Sequence, residues 1–340
     1  MQPNLETLAQ DAAWLPYAYD LQQDTLAFAH VPRDTHRRVT FLDPRYLGDA
    51  PKSQPLPLPA LPAARAQPLH FIFHTAFCCS TLLARALDLP GVSMGLKEPA
   101  VLVPLGYAAA VGKRTETHAR ALQTILDLLS RPLSPRETQV VKLSNAANLL
   151  LPEILATRPE SKVLLLYSDL DVFLKGTVNK GPPGRSFARH MFTQLYPHAP
   201  LAKFKIEEMI AQTDLQLAAQ AWLMQLVIFD RMAKHFGPTR VRTLKDETFL
   251  AKKADALSRV GAFFKLAQPK AGWTAVASSP VFNQHAKHPD DAFNDAARRA
   301  GLERTHASHQ AEIDAALAWA REIATHTGAP QSLGDTLFDA

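Results

Sequence analysis

A chain of 340 residues, 47% apolar and 20% charged, has ordinary globular composition and enough apolar side chains for a sizeable core. Its 37 Lys and Arg face 32 Asp and Glu, a net charge of +5 spread without a basic run, which argues against a nucleic-acid-binding arm. The only two cysteines are adjacent, Cys78 and Cys79, which excludes a disulfide framework, and no apolar window approaches the ~18 to 20 residues of a membrane span.

The start, MQPNLETLAQ, has neither the basic residues nor the apolar core of a secretory signal. The expectation is a cytoplasmic protein with no membrane and no nucleic-acid partner. Residues 1–50 mix short aromatic-containing pieces with polar turns and read as a small N-terminal extension. The stretch 51–68, PKSQPLPLPALPAARAQP, is proline-rich and reads as an extended linker. From Leu69 to the end, apolar runs alternate with amphipathic stretches, the pattern of one large α/β domain.

LHFIF (69–73) predicts a buried strand, and a helix pattern runs from Ser80 to Leu89. GVSMGL (91–96) predicts a second strand. Residues 116–130 place Ala121, Ile125, Leu128 and Leu129 at helical spacing. TQVVKLS (138–144) predicts a third strand, NLLLPEILATR (148–158) a helix, and KVLLLYS (162–168) a fourth strand. VNKGPPGRSFARH (178–190) reads as a Gly/Pro turn leading into a helix at 186–195. Further helices are predicted at 205–235, 250–265 and 309–326, with a last strand at RVRTLKD (240–246). Near-continuous apolar strands alternating with helices imply a central parallel sheet covered on both faces, a three-layer αβα architecture.

In such a sheet, ligands sit beyond the carboxyl ends of the strands, so the residues following each strand carry the most information. The first of these junctions, His74–Thr81, is a strand, a tight turn and a helix start. Backbone N–H groups there point outward, and the Ser80 and Thr81 hydroxyls add donors for an anion. The turn contains no glycine and no lysine. Thiolate chemistry at Cys78 and Cys79 lacks a His–Asp constellation, and the tolerance of a tight turn for small residues is the simpler account of the pair.

FIFHTAFCCSTLLARAL resembles the first phosphosulfate-binding loop of the sulfotransferases, where a strand leads into Pro, Lys or Arg, Ser, Gly, Thr, Thr. Ala76 stands at the proline, Phe77 at the basic residue, Cys78 at the serine, Cys79 at the glycine, and Ser80 and Thr81 at the two threonines. VVKLSNAANLLLPEILATRPESKVLLLYSDLDVFLKG resembles the second cofactor segment, whose Arg-x-Pro and later Ser bind a 3′-phosphate. Those positions read Ser168, Leu170 and Gly176 here; a shifted register puts Tyr167 and Lys175 there instead. VRTLKDETFLAKKADALSRVGAFFKL (241–266) resembles the late strand–acid–helix segment. SPVFNQHAKHPDD (279–291) falls at the family's basic loop, with His285 and Lys287 as its cations.

The resemblance implies a P-loop NTPase-like sulfotransferase architecture. It also implies 3′-phosphoadenosine 5′-phosphosulfate as co-substrate and no metal. The donor would be held at Thr75, Ala76, Phe77, Cys78, Cys79, Ser80 and Thr81. GLKEPAVLVPL (95–105) resembles the region where some members, such as tyrosylprotein sulfotransferases, carry a catalytic glutamate, which assigns Glu98 as the base. Lys142, at a strand end, would neutralise charge on the bridging oxygen, and His74 could replace the absent basic residue of the loop. Lys180 and Arg185 are expected as compensating anion-binding cations. The acceptor would be a hydroxyl or amine of a small molecule or peptide. Because the loop lacks its basic residue and the 3′-phosphate arginine, a non-catalytic or repurposed nucleotide- or anion-binding protein on the same fold is the alternative. A phosphotransferase is disfavoured, since Ser80 occupies the place of the Walker lysine.

Overall fold

In the computed structural model, which describes residues 3–202, 204–284, 286 and 295–339, the chain opens with an antiparallel sheet. Its strands are β1 (Trp14–Asp20), β2 (Thr25–His30) and β3 (Leu56–Pro57), in that order. The Asp20 carboxylate accepts the N–H groups of Gln22 and Gln23 and so closes the β1–β2 turn. β3 comes from the proline-rich stretch, and Leu58 just after it is buried in the main core. Pro57 therefore lies at a sheet edge, where a missing N–H is tolerated.

The second sheet holds β4 (Leu69–His74), β5 (Ser93–Lys97), β6 (Thr138–Lys142), β7 (Val163–Tyr167) and β8 (Val241–Lys245). Their order across the sheet is β5-β6-β4-β7-β8, and every pair is parallel. Each predicted strand of the main domain is present, within two residues at either end. The signal was strong because β4, β5 and β7 are buried at every position, as expected for strands covered on both faces.

Alternation of side chains across the sheet separates two apolar layers. Phe71, Phe73, Val141, Val163 and Leu165 point to one side, into a core shared with Leu15, Leu26 and Phe28 of the N-terminal sheet. Ile72, Val140, Leu164, Leu166 and Leu244 point to the other, against Leu82, Leu83, Leu257 and Val260. The result is the expected three-layer αβα arrangement.

The helices that matter below are α1 (Ser80–Ala86), α2 (Glu116–Leu129), α3 (Leu170–Asn179), α4 (Gly181–Leu195), α5 (Asp214–Phe236), α6 (Lys253–Phe263), α7 (Asp295–Ser308) and α8 (Gln310–Thr327). One expectation is corrected: the segment 178–190 is not a loop. α3 and α4 meet at Lys180, and Gly181 adopts φ +59° to turn the chain. Pro182 and Pro183 then occupy the first turn of α4, where no backbone N–H is required. Among the described residues, no helix is long and apolar enough to cross a membrane.

Candidate functional site

From β4 the chain crosses to β5 and β6 on one side of the sheet, and later to β7 and β8 on the other. The carboxyl ends of β4 and β7 therefore frame the topological switch point, where open α/β sheets bind ligands. A cavity of about 680 Å³ lies there. Its floor is the loop Ala76–Cys79 with the first residues of α1; His74, Glu98, Lys142 and Asn145 enter from the strand ends. Val172, Gly176, Asn179 and Lys180 come from α3, Pro183, Gly184 and Phe187 from α4, and Arg298, Gly301 and Leu302 from α7.

The loop does without glycine at a conformational cost. Of the seven non-glycine residues with positive φ among the described residues, Ala76, Phe77, Cys79 and Glu98 all line this cavity. Such backbone costs about 1 to 3 kcal/mol per residue and persists only where surrounding contacts impose it. His74 is one of those contacts: its Nδ1 accepts the Ala76 N–H at 3.1 Å, and its Nε2 donates to the Leu143 carbonyl at 2.9 Å. The His74 carbonyl is held in turn by the side-chain amides of Asn145 (2.6 Å) and Asn148 (3.1 Å), both also bonded to Gln225 of α5. Thr75 Oγ1 accepts the Ser168 N–H at 3.3 Å, tying the loop to the end of β7.

This bracing leaves the amides free. The N–H groups of Phe77, Cys78, Cys79, Thr81 and Leu82 have no acceptor among the described residues, while that of Ser80 is turned to the Cys78 sulfur. Buried amides without partners are rare, and a run of them over left-handed residues at a helix start is a preformed anion nest. Ser80 and Thr81, each at most 5% exposed, line the same cavity and add two hydroxyls.

Beside the nest, Lys142 at the end of β6 forms an ion pair with Glu98. The two meet because β5 and β6 are neighbours in register, Lys97 opposite Lys142, and the left-handed Glu98 turns its side chain back across the strand end. The Glu98 N–H also donates to the Lys142 carbonyl at 2.7 Å. The Lys142 ammonium lies 5.3 Å from the centre of the Phe41 ring, a cation–π contact on its remaining face.

Arg298 is the cation that sequence reasoning missed. It reaches the cavity from α7 and donates to the Asp246 carboxylate at 2.6 Å. Asp246 follows β8 and is buried; burial pushes its carboxyl up to about 6, although Arg298 pulls the other way. A carboxyl raised above its unfolded value contributes most stability below about pH 4 and loses it as pH rises through about 6. Asp246→Asn is therefore expected to remove a decline in the urea midpoint between pH 4 and 6, worth on the order of 3 kcal/mol. Parallel profiles for the variant and the parent would rule this out.

The two cysteines are braced thiols. Cys78 Sγ donates to the Leu166 carbonyl at 3.5 Å, and burial pushes Cys78 up to about 11 and Cys79 up to about 12. Iodoacetamide labelling at pH 7.5 is expected to run at least about tenfold slower than for an exposed cysteine. Labelling at the exposed rate would restore the thiolate reading.

Other expected cofactor residues lie elsewhere. Thr75 is buried beneath the loop rather than in the cavity, and Ser168 is fully buried behind it, its carbonyl held by the Trp222 indole at 3.0 Å. Tyr167 bonds Ser332 and Gly334, and Lys175 pairs with Asp171 at 2.7 Å. Arg185 forms a two-pronged pair with Glu312 of α8 at 2.6 and 2.8 Å and takes no part in the cavity wall. Gly176 does line the cavity, under the Phe77 ring: a Cβ there would stand 2.5 Å from that ring. Lys180 is on the wall as expected. His285 and Lys287 lie outside the described residues. No group of His, Cys, Asp and Glu suited to a metal ion occurs among the described residues.

No protein-family model matches the chain, and no curated protein matches it. Among solved structures it is similar to two sulfotransferase domains. One comes from the curacin biosynthetic pathway: 13% identity, 79% of this chain and 99% of that one covered, TM-score 0.46. The other comes from the Synechococcus PCC 7002 olefin synthase: 11% identity, 72% and 88% covered, TM-score 0.42.

Proposed function

We propose that this chain is a sulfotransferase, moving a sulfuryl group from 3′-phosphoadenosine 5′-phosphosulfate to a hydroxyl or amine of a small-molecule or peptide acceptor. The observation that carries this reading is the set of free amides at Phe77, Cys78, Cys79, Thr81 and Leu82, in one cavity with the Lys142–Glu98 pair. An anion held by the nest would lie beside a carboxylate able to take a proton and a buried ammonium able to meet developing negative charge.

The residues present fit the phosphosulfate end of the donor. The amides and the Ser80 and Thr81 hydroxyls offer hydrogen bonds, and Arg298 adds positive charge on the same wall. They do not reproduce the family's 3′-phosphate contacts, since Ser168 is sealed behind the loop and Gly176 lies under Phe77. Lys180 is the cation on that side of the cavity.

When bound, the donor supplies an activated sulfuryl group. Glu98 takes the proton of the acceptor hydroxyl as the new oxygen–sulfur bond forms. Once Glu98 is neutral, the Lys142 charge is no longer compensated by it. That charge is then available to the phosphate oxygen that keeps the electron pair of the broken sulfur–oxygen bond. The amides stabilise the sulfuryl oxygens without reorganising, because His74, Asn145 and Asn148 already hold the loop. In this scheme His74 positions the loop rather than touching the transferred group, since both of its ring nitrogens bond backbone.

A second reading, an anion- or nucleotide-binding protein without transfer, is favoured by one observation. Phe77, at the position of the family's basic residue, is packed among Phe173, Phe187 and Gly176. Thermal unfolding with 3′-phosphoadenosine 5′-phosphate, ATP, GTP and sulfate separates the two. A ligand at a hundred times its Kd adds about 2.7 kcal/mol. The sulfotransferase reading expects the phosphoadenosine to give the largest shift. Larger shifts with ATP, GTP or sulfate support the second reading, and no shift with any of the four removes both.

A further inference from the structure

On the far side of α1 a second cavity of about 240 Å³ shares no lining residue with the first. Its charged walls are Arg37, Arg85, Asp88 and Lys97. Lys97, 2% exposed, donates to the carbonyls of His36 (2.5 Å) and Val39 (2.6 Å) and pairs with no carboxylate among the described residues. Arg85 donates to the carbonyls of Ala286 (3.0 Å) and Arg37 (2.8 Å), again with no carboxylate partner among the described residues. Asp88 is already shared by Arg33 and Arg37, and Glu137 is taken by Arg33. Among the described residues Arg33, Arg37, Arg85 and Lys97 thus meet only Asp88 and Glu137, four basic side chains against two acids around this cavity.

Burying cations without counter-charge is costly, and proteins neutralise them or pair them. Two cations that have no acid partner among the described residues flank this cavity from different elements, Arg85 from α1 and Lys97 from β5. We propose that the cavity binds a small tetrahedral oxyanion, phosphate or sulfate, between Lys97 and Arg85. The volume admits the ion with some of its water, at ~30 Å³ per water. Both cations keep unused N–H donors after their backbone bonds, so the anion adds hydrogen bonds without displacing any. This site does not depend on the transfer reaction proposed above.

The proposal carries a proton signature. Burial and the neighbouring Arg85 bring Lys97 down to about 7. Arg37 and Asp88 line the same cavity, Arg33 is held by Asp88 and Glu137, His36 stays neutral through burial, and the adjacent Glu98 is committed to Lys142. A bound anion would favour the ammonium, so binding takes up a proton near neutral pH and weakens as pH rises through 7.

Calorimetric titration of the full chain with sulfate, which does not itself titrate here, tests this in two buffers of different ionisation enthalpy at pH 7.5. A phosphate titration then shows which ion is preferred. The expected result is a binding site with proton uptake and affinity falling between pH 6.5 and 8.5. It should weaken at least about tenfold in Arg85→Gln and be kept in Arg298→Gln. Arg85 is partly exposed, so its variant tests the site even if Lys97→Met does not fold. Binding without proton uptake, binding lost in Arg298→Gln but kept in Arg85→Gln, or no binding at millimolar anion overturns the proposal.

Discussion

If the proposed transfer is this chain's reaction, Lys142→Met is expected to lower it at least about a thousandfold in kcat/KM and stability by about 2 kcal/mol. Glu98→Gln is expected to cost similar activity and more stability, about 3 to 5 kcal/mol. The asymmetry follows from burial. The Lys142 side chain is 1% exposed, whereas that of Glu98 is 21% exposed. Glu98 left alone still meets water, while for an uncompensated Lys142 ammonium the Phe41 ring is the remaining contact among the described residues. Methionine keeps the length of the lysine stem, so little packing is lost.

The double variant separates the two roles of the pair. With both charges removed, most of the stability should return, because no buried charge is stranded, but transfer should stay as low as in either single variant. Urea unfolding gives the stabilities and transfer of labelled sulfuryl gives the activities. A double variant as unstable as Glu98→Gln would show that the ion pair is not the source of the cost. Undiminished transfer in Lys142→Met would remove Lys142 from the chemistry.

The site was partly legible in the sequence, for physical reasons that differ from residue to residue. Buried parallel strands read as continuous apolar runs, so the strand ends, and with them the positions of Glu98 and Lys142, are legible in the sequence. The free amides follow from the position of Ser80 and Thr81 at the first turn of α1. Ser168 could be assigned only by matching a motif, and burial at the end of β7 makes it a brace for Thr75 instead.

Arg185 had the right charge in the wrong place. A Gly-Pro-Pro-Gly run reads as a loop, but proline in the first turn and glycine at a close crossing also suit a helix start. Once α4 forms there, Arg185 faces α8 and finds Glu312. Arg298 had no local signal at all. Its partner Asp246 lies on another element, 52 residues earlier, and only the packing of α7 over the loop brings them together.

The pairing of Phe77 with Gly176 yields the sharpest test of how this loop departs from the family it resembles. Gly176→Ala is expected to destabilise the protein by about 1 to 3 kcal/mol, because the new methyl group would stand 2.5 Å from a ring hemmed in by Phe173 and Phe187. Phe77→Gly removes that obstruction and suits the φ of +53° at position 77, but forfeits the aromatic contacts. In the double variant the methyl group fills part of the space the ring leaves, so the two costs should combine to less than their sum, by about 1 kcal/mol or more. Thermal unfolding of the three variants measures that coupling. Strict additivity would mean that the loop moves independently of α3. Positive coupling would mean that the aromatic at 77 and the glycine at 176 are one structural unit, so that neither the basic residue nor the serine of the family could be restored here without the other.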